Sequence, residues 1–201
     1  MMNIERQWAI VSVVTGVLTV LSYALFSVIS GPFRLGVILV CAFGPLLATA
    51  SIGLYHVLGE NVSPILRQLA VIFNVLGAAI FTMMGLVQLS VHYQIDILSQ
   101  SGDIPASLFP AVDAVQLGLD VAWDVFISLG TLLFALSMFK DSRFGRVVAL
   151  LGVLVALALL VLNLWTFPIP PANSNLIDLG PLLGLWYLIV TIFIGRWLFR
   201  R

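Results

Sequence analysis

The stretch AVQLGLDVAWDVFISLGTLLFALSM, residues 114–138, is long and apolar enough to cross a membrane, yet it carries Asp120 and Asp124. On an insertion scale two central Asp residues cost about 5–7 kcal/mol, while the segment's Leu, Ile, Val and Phe side chains return about 4–7 kcal/mol. Alone, such a span is marginal. It needs neighbours facing its acidic side, so the acids are expected to look into a helical bundle or a wet cavity.

Working outward, five more segments have a similar character, given that about 20 apolar residues cross the hydrocarbon core. The expected spans are 8–30, 35–58, 68–92, 114–138, 146–167 and 180–199. Turn and charge clusters separate them, among them Gly31-Pro32-Phe33-Arg34, Lys140-Asp141-Ser142-Arg143 and Pro168-Ile169-Pro170-Pro171. Short links favour antiparallel neighbours. The prediction is therefore an all-α polytopic bundle, one transmembrane domain over residues 1–201. Composition agrees: charged residues are 9% of the chain, against about a quarter in a soluble domain, so lipid must be its main solvent. Zero net charge and the absence of a basic patch interleaved with aromatics argue against a nucleic-acid partner. Cys41 is the single cysteine, which excludes an intrachain disulfide. The opening run Trp8 to Ile29 exceeds a signal-peptide core of about 7–15 residues and reads as a retained first span.

With six spans, the termini and the second and fourth links share one side. That side holds Arg6, Arg67, Lys140, Arg143, Arg146, Arg196, Arg200 and Arg201, eight of the nine basic residues; Arg34 alone is opposite. The positive-inside rule puts both termini in the cytoplasm. Trp8 and Trp197 are expected at the inner interface, and Trp165, Trp186 and Tyr187 at the outer one. The third link, about Tyr93 to Asp113, is expected to be a long external connection, with Leu108-Phe109-Pro110 as a possible lid.

At 100° per residue, Asp113, Gln116, Asp120 and Asp124 share an arc of about 80° on the fourth span. A rise of 1.5 Å per residue puts Asp120 roughly 9 Å deep and Asp124 roughly 15 Å deep, near the midplane. The third span has a facing stripe of Asn74, Ala78, Phe81, Gly85, Gln88 and His92. Asn163 on the fifth span falls in the same outer half. The expected site is an outward-opening polar pocket of Gln88, His92, Gln116, Asp120, Trp123, Asp124 and Asn163. No Lys or Arg is available at that depth, so the Asp120/Asp124 pair should hold a proton or a bound cation near neutral pH. The expected ligand is a small cation, amine or proton, and the activity transport or sensing. Membrane lipids and that ligand are the expected partners, with no nucleic acid and no cofactor.

Two alternatives stand beside this reading. His92, Asp120 and Asp124 offer one nitrogen and two carboxylates to a divalent metal, as in an enzyme acting on lipid. The sequence lacks H-E-x-x-H, a Cys/His cluster and G-x-S-x-G, so it leans away from an enzyme. The other is a structural or partner-binding bundle, its acids protonated and stitching helices together.

Gly53-Leu54-Tyr55-His56, Trp123-Asp124 with Leu129-Gly130, and Arg143-Phe144-Gly145-Arg146 resemble small bacterial six-helix integral membrane proteins, a family known only as a domain of unknown function. The resemblance covers most of the chain. It implies a bacterial inner-membrane location and six spans, and no chemistry.

Overall fold

The chain forms six α-helices: α1 (Ile4–Val28), α2 (Phe33–Val57), α3 (Pro64–Ser101), α4 (Leu108–Met138), α5 (Gly145–Thr166) and α6 (Gly180–Phe199). These come from a computed structural model that describes residues 4–28, 33–59, 62–101, 108–169 and 171–200. All six helices are long and apolar enough to span a membrane, and no strand occurs among the described residues. Large apolar side chains such as Ile38, Val147, Leu154, Leu164 and Ile192 lie exposed on the outer faces. In water such a surface would aggregate; in a bilayer it is the lipid-facing surface. The protein is a multi-pass membrane protein.

Two helices outrun their expected spans. α3 covers Pro64–Ser101 instead of 68–92, and α4 begins at Leu108 instead of 114. Pro64 opens α3 at a position where the missing N–H costs nothing, and no Gly or Pro interrupts the chain from Tyr93 to Ser101. Pro110 sits in the first turn of α4, where it is equally harmless. Hydropathy marks where lipid stops, whereas helical hydrogen bonding runs on until a breaker. The expected long external link is thus mostly helix, and Leu108-Phe109-Pro110, expected as a lid, form the first turn of α4; residues 102–107 lie outside the described residues. So do Arg201 and the Gly31-Pro32 turn.

Each helix packs on its neighbours in the chain, and α6 closes a ring against α1 and α5. Two apolar clusters fill the interior. One, toward the end holding the termini, contains Leu54, Ala70, Phe134, Val148, Trp186 and Val190; the other contains Phe43, Phe81, Ile127, Leu159 and Leu183. A polar layer separates them. The buried Asn74 amide donates to Ser51 Oγ at 3.0 Å and to Tyr187 Oη at 2.7 Å, and Thr131 Oγ1 is 2.8 Å from that same phenol oxygen. Three helices meet at the Tyr187 phenol, and Asn74 ties in a fourth, α2, through Ser51. Tyr187 and Trp186, expected at the outer interface, are therefore core residues. Gly152 makes the room: a Cβ there would lie 2.6 Å from the Trp186 indole, whose Nε1 donates to Val148 O at 2.8 Å. Gly53 works likewise between α1 and α2, where a Cβ would stand 2.9 Å from Trp8 O. Small residues at seams let membrane helices approach closely.

At the terminal end, a charged clasp ties the links together. Arg143 donates from Nη1 to Glu5 Oε1 at 2.6 Å and from Nη2 to Asp141 Oδ2 at 2.8 Å, while Gly59 N donates to Asp141 Oδ2 at 3.2 Å. Burial works against the charge on Asp141, but the hydrogen bonds from Arg143 and Gly59 outweigh it and hold its carboxyl below the usual range. Gly145, at φ 76°, supplies the left-handed turn that leads from this clasp into α5.

Candidate functional site

α4 carries Asp120 and Asp124 one turn apart on its inward face, as the 3.6-residue period requires. Asp124 is buried, with 7% exposure, and its Oδ2 accepts a hydrogen bond from Asn163 Nδ2 on α5 at 2.9 Å. That same nitrogen donates to Leu159 O at 3.0 Å, which fixes the amide's orientation. Asn163 Oδ1 is left buried without a hydrogen-bond partner among the described residues.

Asp120 is half-buried, and together with Asp124 it faces a cavity of about 230 Å³. α1 contributes Tyr23 and Phe26, α3 contributes Phe81, Met84 and Gln88, and α4 adds Trp123. The link before α6 closes the cavity with Pro171, Asp178 and Gly180. Among the described residues three carboxylates line this space and no Lys or Arg does. Its aromatic wall is tightly organised. Phe81 meets Trp123 edge-on with centroids 5.0 Å apart, Phe43 packs on Phe81 at 4.0 Å, and Tyr23 leans on Phe81 at 6.3 Å.

The structure brings together five of the seven residues expected at the site. Gln88, Asp120, Trp123 and Asp124 line the cavity, and Asn163 stands behind Asp124. His92 and Gln116 are not among the lining residues. His92 is exposed, and its Nδ1 donates to Gln88 O at 2.7 Å, one turn back on its own helix. Among the described residues no group of three or more His, Cys, Asp or Glu is placed to hold a metal ion. The set His92, Asp120 and Asp124 is thus not assembled as ligands.

Asp178 escaped the sequence reading. It lies in a link and not on a helix face, so no periodicity points to it. Its Oδ1 accepts the Gly180 N–H at 2.8 Å, which starts α6 and fixes the carboxyl at the mouth of the cavity. The available signal was its position: an external acid with no basic residue between Thr166 and Gly195.

A larger cavity, about 660 Å³, lies at the terminal end beside Arg143, Lys140, Arg196 and Arg200. Asp141 and Glu5 line it too, so it carries both signs of charge, in the manner of a helix bundle's interfacial rim.

Six helices fit to cross a membrane, with an acidic, aromatic-walled and partly open chamber among them, define a multi-pass membrane protein. The chain matches no family model, no curated protein and no solved structure.

Proposed function

We propose that this protein binds a small organic cation, such as an amine, in the acidic chamber and acts as a transporter or sensor in a bacterial inner membrane, with both termini in the cytoplasm. One observation carries the reading: three carboxylates and an aromatic wall share a cavity that, among the described residues, no basic side chain lines. Carboxylates neutralise a cation by charge-assisted hydrogen bonds, and the faces of Trp123, Tyr23 and Phe81 attract its positive surface. The concentration of basic residues at the terminal end supports the cytoplasmic placement of the termini. Protons compete with the ligand for the same oxygens, so occupancy is coupled to pH and binding weakens as pH falls.

The test uses purified protein in lipid nanodiscs and benzyltrimethylammonium, a permanent cation, beside neopentylbenzene, its neutral isostere. Calorimetry should detect the cation alone, with affinity falling from pH 8 to pH 5. Equal binding of both compounds, or of neither, removes the proposal. The second reading is a structural bundle, favoured by the Asp124–Asn163 hydrogen bond, which joins α4 to α5 without any ligand. It predicts that neither compound binds.

A further inference from the structure

We infer that the ligand is an amphiphilic amine, its charged head in the acidic chamber and its apolar tail in a second cavity beside it. The inference rests on the cation-binding reading above and deepens it. The second cavity measures about 300 Å³ and lies between α1, α2, α4 and α6. It shares Tyr23, Trp123, Asp124 and Gly180 with the acidic chamber, so the two spaces meet at the buried carboxylate.

Its remaining lining is apolar in effect. The Thr19 and Thr191 hydroxyls donate to their own helices, at Thr15 O and Tyr187 O, 2.7 and 2.8 Å away. The Tyr187 oxygen is held by Asn74 and Thr131. Asp124 is left as the carboxylate in a wall otherwise fit for hydrocarbon. Apolar cavities of this kind stay dry and take apolar guests. On its α1/α6 side Ala24 and Leu185 are exposed, so the space opens sideways onto the apolar outer surface of the bundle. A small cation alone would leave this volume empty; an amine with a hydrocarbon tail reaches it from the bilayer and fills it.

Gly184 gives the experiment its handle. It lines the cavity, and a Cβ placed there meets nothing within 4 Å. Gly184→Leu therefore places an apolar side chain at the tail space with no clash at its Cβ, and it replaces a poor helix former with a good one. Ala24→Leu, from the α1 side, is the companion variant. In nanodiscs, n-alkyltrimethylammonium ions from methyl to octyl are titrated against wild type and both variants. Wild-type affinity should rise about fourfold per methylene, the value for burying one CH₂, and level off when the cavity is full. In the variants that rise should flatten.

An equal slope in wild type and variants means the chains partition only into the bilayer, and it overturns the tail site while leaving the cation site standing. Neutral n-alcohols that show the same slope and are blocked by Gly184→Leu would make this a lipid-chain groove unconnected to the head site, which also overturns the inference. If tetramethylammonium and all its homologues fail to bind wild type, the cation reading fails and the tail inference falls with it.

Discussion

Asp124→Asn separates a ligand site from a structural stitch. Asparagine is isosteric and keeps a carbonyl oxygen where Asn163 Nδ2 now donates at 2.9 Å. The α4–α5 hydrogen bond survives, and interhelical bonds in membranes are in any case worth about 0.6 kcal/mol on average. Stability without ligand should thus change by less than about 0.5 kcal/mol. What the substitution removes is charge. A hydrogen bond to a charged group contributes about 1.5–3 kcal/mol, so cation affinity should fall about 10- to 150-fold. Ligand present at 100 times its dissociation constant stabilises wild type by about 2.7 kcal/mol. At that same concentration the variant would gain only about 0.3–1.4 kcal/mol. The assay is thermal unfolding in nanodiscs with and without benzyltrimethylammonium, followed by tryptophan fluorescence. A variant that melts well below wild type without ligand, yet keeps the full ligand-induced gain, refutes the reasoning: Asp124 would then hold helices together and take no part in binding.

Other outcomes follow from the clasp and the topology. Arg143→Met strands Asp141, whose side chain is 5% exposed, with only the Gly59 N–H and its own turn for support. The loss should be about 2–4 kcal/mol at pH 7, toward the low end because the Glu5 side chain keeps 32% exposure. Since the folded carboxyl is held below its ordinary range, the clasp's contribution is complete above the usual value of about 3.9 and is lost as pH falls through the depressed one. The difference between wild type and Arg143→Met should hold steady from pH 7 to 5 and shrink in stronger acid; a gap that widens on acidification would contradict this. For the topology, single cysteines at the exposed Ser142 and Ile177 in a Cys41→Ser background should react with an impermeant maleimide from opposite faces. Ser142→Cys should label only in inside-out vesicles and Ile177→Cys only in intact spheroplasts; the reverse pattern inverts the orientation.

Much of the fold was legible because its signals are local. Apolar length fixes the spans, and the α6 bounds, residues 180–199, agree with expectation. Helical period likewise put Asp120 and Asp124 on one face and Gln88 opposite them. What failed needed information that a stripe does not carry. A stripe does not say where a ring folds back on its own helix, as His92 does. Nor does it bring in a link residue such as Asp178, or the aromatic side chains of α1, which lie on no polar stripe. Trp186 and Tyr187 misled for another reason: an aromatic near a span's end reads as an interfacial anchor, while the inward placement of these two depends on Gly152, which makes room for the Trp186 indole, and on Asn74, which donates to the Tyr187 phenol.

The chamber is rich in hydrogen-bond acceptors. An ionised carboxylate offers about four acceptor sites. Asp124 gives one to Asn163, and Asp178 gives one to Gly180. Asn163 adds an oxygen that is buried without a hydrogen-bond partner among the described residues. A residue whose task is only to join α4 to α5 would do it as asparagine, without the cost of a carboxyl at this depth. Among the described residues three acids and no basic side chain line this space, a balance that favours protons or a cation there. On the reading proposed above either occupant displaces the other, and that exchange would link an amine to a proton in a fixed bundle.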